Sequence, residues 1–182
     1  MRPAFSNAGR MFFSWPHILM PGDDMKRKRV WTYVLWILGT EAVGALAAWL
    51  TQDGMELYKT QMLKPPLSPP TVVFPIVWAL LYALMGISAA RVDLSGRSEA
   101  RADALQVYLL QLAINFTWSI FFFRLGSYGG ALAVLLLLLG LIVWMILRFR
   151  RVDRPAARLQ LPYLLWVVFA AYLNAGVFIL NR

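Results

Sequence analysis

Phe74, Trp78 and Tyr82 recur every four residues in a stretch without a charge, so on a helix they share one face. Gln111, Asn115 and Trp118, with Phe122 beyond them, do the same in a second uncharged stretch. A third carries Tyr163, Trp166, Ala170, Leu173, Asn174 and Val177 at helical spacing. Aromatic surface from three segments, with few polar groups among it, suits a pocket for a flat apolar ligand: rings form walls and isolated amides fix orientation. Acid–base, nucleophilic and metal chemistry lack their residues. The apolar segments offer no Ser–His or Cys–His pair, no acid pair, no cluster of metal ligands and no glycine-rich phosphate loop. No catalytic residue and no metal ligand is therefore assigned. The competing reading is that the same rings fill a bundle core or anchor the bilayer interfaces, as Trp31, Trp36, Trp49 and Trp144 are expected to do.

The elements that must position these side chains are membrane helices. Of 182 residues, 60% are hydrophobic and only 15% charged, whereas a soluble domain is nearer half apolar and a quarter charged. The absence of cysteine excludes disulfides and thiolate chemistry, and a single histidine, His17, argues against a transition-metal site. The net charge of +9 raises nucleic acid as a partner only if the basic residues gather on one surface.

Residues 1–29 read as an irregular basic extension, interrupted by Pro16 and Pro21 and lacking the long apolar core of a signal peptide. Met25, directly before Lys-Arg-Lys-Arg, is an alternative start. A five-helix domain follows over 30–182, with spans at about 30–50, 72–90, 105–123, 129–147 and 161–180. The first span contains one charge, Glu41, among small residues that favour close helix packing; it is expected to be a neutral, hydrogen-bonded packing group facing the bundle interior. Between the first two spans lies the longest loop, 51–71. It ends in Lys-Pro-Pro-Leu-Ser-Pro-Pro, whose prolines forbid helix and predict a stiff extended lid. The fourth span, with Leu-Leu-Leu-Leu-Leu-Gly-Leu at its centre, reads mainly as lipid-facing scaffold. With the N-terminus inside, fourteen of the eighteen basic residues lie inside and Lys59, Lys64, Arg124 and Arg182 outside. This predicts five spans, N-terminus in and C-terminus out. Topology and anionic lipid then account for the basic balance, so no nucleic-acid partner is expected.

The run KPPLSPP, then VFPIVWALLYALMGISA, NFTWSIFFF and LPYLLWVVFAAYLN, resembles the TspO/translocator protein family, the tryptophan-rich sensory proteins, over roughly Gly39–Asn181. The resemblance implies a five-helix bundle, a homodimer, that binds porphyrins such as protoporphyrin IX and haem, sterols, and synthetic benzodiazepine-type ligands beneath the first loop. No obligatory cofactor is implied; porphyrin enters as ligand. Carried over by position, the ligand-binding residues are Pro70, Phe74, Trp78, Tyr82, Asn115, Trp118, Phe122, Trp166, Ala170, Leu173 and Asn174. The chain departs from the family in three places. Only Tyr58 remains of a Trp-Tyr pair in the first loop. Gly130 and Val134 stand where a Trp and an Asp are frequent. Ala175 replaces the tyrosine of the sterol-recognition pattern, although Arg158, Tyr163 and Leu165 fit its reversed form.

The function expected from these residues is that of a multi-pass membrane receptor or carrier for porphyrins or sterol-like ligands, in tetrapyrrole homeostasis or stress signalling, in a bacterial cell membrane. Two alternatives are a porphyrin-degrading enzyme driven by light and oxygen, for which no catalytic constellation is visible, and a partner-regulating membrane protein without a small ligand.

Overall fold

The computed structural model describes residues 21–182, and in it every regular element is helical. Five helices are long and apolar enough to cross a membrane, and together they make an integral membrane bundle. Helix α1 (Pro21–Leu50) is followed by a short α2 (Gln52–Thr60), α3 (Val73–Asp93) and α4 (Glu99–Ser119). A π-helical turn (Ile120–Arg124) continues α4, and then come α5 (Tyr128–Val152), a short α6 (Arg154–Leu159) and α7 (Leu161–Leu180). Around the bundle, α1 packs against α3 and α4, α4 against α5, α5 against α7, and α7 against α3.

All five expected spans are present, and most helices run past them. Hydropathy marks the depth of lipid, whereas helix ends are set by capping groups. Thus α4 begins six residues before its apolar run, where Ser98 Oγ accepts a hydrogen bond from the Arg101 amide at 3.2 Å. The expected irregular segment 1–29 is corrected in its last part: 21–29 belongs to α1, with Asp23 and Asp24 in the first turn, where acids favour the helix dipole. Residues 1–20 lie outside the described part of the chain. The loop 51–71 contains α2, a helix the prolines concealed. Below Thr60 the lid is non-helical, as expected.

Two further readings are corrected. Trp36 is not an interface anchor: its indole donates to Asp93 Oδ2 at 3.0 Å and its ring meets Tyr108 edge-on, 5.6 Å between centroids. Trp31, Trp49 and Trp144 are exposed, as anchors should be. Helix α5 is not mainly lipid-facing. Ala131, Leu135, Leu138, Ile142, Met145 and Phe149 repeat by three and four along it and are fully buried against α4 and α7. A helix of uniform apolarity hides which face is core, because leucine suits lipid and protein alike.

Candidate ligand chamber between the first and second membrane helices

A cavity of about 490 Å³ lies at the end of the bundle that carries α2. Helix α3 supplies Phe74, Trp78 and Tyr82, one turn apart, to one wall. Trp78 leans on Tyr82 (5.4 Å, 31°) and on Trp118 of α4 (6.0 Å, 32°), so three rings form one continuous surface. The opposite wall is α1, whose Gly44, Ala47 and Ala48 present almost no side chain, with Thr51 just beyond its end. A Cβ at Gly44 would strike the Tyr82 ring, so this close approach needs glycine. Met55 and Lys59 of α2 and Phe123 of the π-turn complete the lining. Ala48, Val72 and Pro75 on the rim are exposed, so the chamber opens between α1 and α3.

The walls are held from behind by hydrogen bonds. Tyr82 donates to Asn115 Oδ1 (2.7 Å), Asn115 Nδ2 to the Tyr163 hydroxyl (3.0 Å), and Tyr163 to Gln111 Oε1 (2.9 Å). All four are buried, where an unpaired polar group is costly; of their side-chain polar atoms, Gln111 Nε2 alone lacks a partner among the described residues. Trp118 Nε1 donates to Asn174 Oδ1 at 3.2 Å, and Asn174 Nδ2 donates to the Tyr128 carbonyl at 2.8 Å. The ring orientations are thereby fixed before any ligand arrives. Tyr163 is fully buried while Leu165 is 70% exposed. Arg158, Tyr163 and Leu165 therefore do not form one surface on which a sterol could lie.

Of the eleven residues singled out in the sequence, Phe74, Trp78, Tyr82 and Trp118 line the chamber. Asn115 lies in the network behind them. Phe122, Ala170, Leu173 and Asn174 stand elsewhere, around a residual space of about 20 Å³ beside Tyr58. Tyr58 descends from α2 into that space and meets Phe74, Phe122 and Phe123 edge-on at 5.9–6.1 Å. It is 5% exposed, and burial pushes its hydroxyl above the ordinary range, keeping it protonated. Trp166 is half-buried against Phe74 and does not reach the chamber; its indole N–H is buried and lacks a partner among the described residues. Pro70 is exposed, and its carbonyl accepts from the Val73 amide at 2.9 Å, starting α3.

The lid is strapped to α7 rather than to α1. Asn181 pairs with both the amide and carbonyl of Leu63 at 3.0 Å, and the Tyr172 hydroxyl donates to the Pro66 carbonyl at 2.8 Å. Pro65 fits where a Cβ on Gly176 would stand. Leu67 takes a left-handed conformation (φ 65°) in the turn after Pro66, a strained choice for a branched side chain that the strap holds in place.

Sequence reasoning missed Gly44, Ala47 and Ala48, Met55 and Tyr58, and Phe123. In the sequence the α1 residues read as packing surface, although their spacing puts them on one face. Met55, Tyr58 and Met62, three and four apart with mostly polar residues between, were the available sign of α2. Phe123 reaches the chamber from the π-turn, a feature frequent at functional sites.

Glu41 is half-buried on α1, one turn before Gly44, and makes no side-chain hydrogen bond among the described residues. It is not the hydrogen-bonded packing residue expected.

Comparison with known proteins agrees with this architecture. A model of the TspO/MBR family matches residues 36–180. The chain is 36% identical over 155 residues to the tryptophan-rich protein TspO of Chlorobaculum tepidum, covering 85% of this chain and 98% of that one. It is 36% identical over 124 residues to the translocator protein of Ovis aries, covering 67% and 73%. It is likewise 36% identical over 118 residues to the tryptophan-rich sensory protein of Cereibacter sphaeroides, covering 65% and 73%.

Proposed function

Because this chain belongs to the TspO/MBR family, we propose that it is a membrane receptor or carrier for porphyrins such as protoporphyrin IX and haem, or for similar flat apolar or sterol-like ligands. It acts in tetrapyrrole homeostasis or stress signalling, as a homodimer in a bacterial cell membrane, with the N-terminus inside. Its relatives are named as translocator and sensory proteins, and its role is binding rather than catalysis.

The observation that carries this reading is the pre-set wall of Trp78, Tyr82 and Trp118 beside an open chamber with one cation, Lys59, on its rim. A volume of about 490 Å³ lies within the roughly 300–1,000 Å³ of small-molecule sites. Among the described residues Lys59 pairs only with Glu56, an exposed contact at 3.2 Å. Such pairs contribute little, so the ammonium is free to exchange onto a ligand carboxylate. A porphyrin offers both features: a flat apolar ring and acidic chains along one edge.

Titration with protoporphyrin IX should quench tryptophan fluorescence saturably. Lys59→Gln should weaken that binding about three- to tenfold and leave the affinity for the dimethyl ester unchanged. Equal losses for acid and ester, or none for either, would speak against this orientation.

Tyr58 stands between the chamber and Ala170, Leu173 and Asn174, and a ligand as broad as a tetrapyrrole gains those three only when Tyr58 yields. Tyr58→Ala should lower stability by about 2–4 kcal/mol while the thermal shift produced by protoporphyrin IX grows. A smaller shift than in the unmodified protein would mean that Tyr58 is a ligand contact and not a barrier.

A further inference from the structure

Seen from its two ends, the bundle is strongly asymmetric. Lys26–Arg29, Arg91, Arg97, Arg101, Arg148, Arg150, Arg151, Arg154 and Arg158 lie at the end opposite the chamber. Several have partners: Arg91 with Asp153 at 3.0 Å, Arg101 with Asp93 at 2.8 Å and Arg148 with Asp103 at 3.6 Å. Arg150, Arg154 and Arg158 make no ion pair among the described residues, yet they line one cavity of about 270 Å³ with Ile146, Ala157 and Leu161. All three are exposed, so water screens their mutual repulsion, but their summed charge around one cavity makes it a site for an anion.

The frame that gathers them is rigid. Asp153 accepts from the Ala156 amide at 2.7 Å and from Arg91, and Ser88 Oγ of α3 donates to the Ala156 carbonyl at 2.7 Å. Helix α6 is thus pinned across the end of the bundle, between the exit of α5 and the entry of α7. Below the arginines the surface turns apolar: Val143, Trp144 and Leu147 on α5 and Leu161 and Leu165 on α7 are exposed. The cavity therefore sits at headgroup depth, with cations above and hydrocarbon-facing side chains beneath.

We propose that this cavity binds the headgroup of an anionic phospholipid. Arg150, Arg154 and Arg158 hold its phosphate, and its acyl chains run down the exposed face of α5 and α7. Basic pockets between membrane helices take such headgroups, each nearby arginine strengthening the attraction, and guanidinium matches phosphate geometry.

The test is native mass spectrometry of the detergent-purified full chain with added phosphatidylglycerol or phosphatidylcholine. The unmodified protein should retain phosphatidylglycerol in preference. The triple variant Arg150→Gln, Arg154→Gln, Arg158→Gln should lose that preference, about fivefold per arginine. A control triple, Arg27→Gln, Lys28→Gln, Arg29→Gln, removes equal charge from the same end and should keep it. The single variant Arg158→Gln gives the same readout, with a loss of about fivefold, if the triple does not fold. Equal losses in both triples would reduce the effect to general attraction and overturn the site. Displacement of phosphatidylglycerol by millimolar inorganic phosphate would overturn the lipid assignment in favour of a free anion.

Discussion

Replacing Trp78 and Trp118 together by alanine should abolish saturable protoporphyrin IX binding in the accessible range, a loss of about a hundredfold or more. The two indoles form the middle of the chamber wall, 6.0 Å apart and tilted by 32°. Trp78 is half-buried and offers its face to a flat ligand, while Trp118, 7% exposed, holds that ring in place; loss of such an aromatic contact costs about 1.5–3 kcal/mol. Two such losses correspond to roughly two to four orders of magnitude in affinity. Binding is read by quenching of the porphyrin's own fluorescence, because both replaced residues are native reporters. Trp166→Ala is the matched comparison: Trp166 lies outside the chamber, and its loss should weaken binding far less than either wall residue. If Trp166→Ala proved as damaging as the double variant, the ligand would sit on the α7 side of Tyr58.

Gly86→Leu should separate α1 from α3 and bring down both the fold and the site. A Cβ at residue 86 would stand 2.6 Å from the Ile37 Cα and 2.9 Å from the Trp36 carbonyl oxygen. Those atoms are backbone, so no rotamer change relieves the clash and the helices must part. The resulting cost is about 3 kcal/mol or more. It falls on the contact that closes the small-residue wall of the chamber and places Trp36 on Asp93. Thermal unfolding in detergent should show a large drop in melting temperature, with Gly86→Ala intermediate. An unchanged melting temperature for the leucine variant would mean that α1 is not seated on α3 as described.

What was legible in the sequence follows from where apolar periodicity and chemistry coincide. The five spans were readable because eighteen or more residues with at most one charge admit little else. Phe74, Trp78, Tyr82 and Trp118 were readable as one wall because aromatic residues four apart must share a face. What the sequence concealed was the opposite wall. Gly44, Ala47 and Ala48 contribute by being small, and an absence of side chain reads as packing until a cavity appears beside it. Tyr58 was hidden for another reason: its position depends on α2, a helix of nine residues, too short to stand without tertiary contacts. The separation of Ala170, Leu173 and Asn174 from the open chamber could not be read from spacing, since they do share a face with one another. They are set apart by the rings packed around Tyr58, which arrives from a distant loop.

The most direct test of the ligand's place is to fill the chamber from α1. Ala48 is exposed on the rim, so Ala48→Trp can occupy the opening without disturbing the buried network. The fold should persist while protoporphyrin IX affinity falls at least about tenfold. An affinity equal to that of the unmodified protein would contradict the assignment of the ligand to the space between α1 and α3.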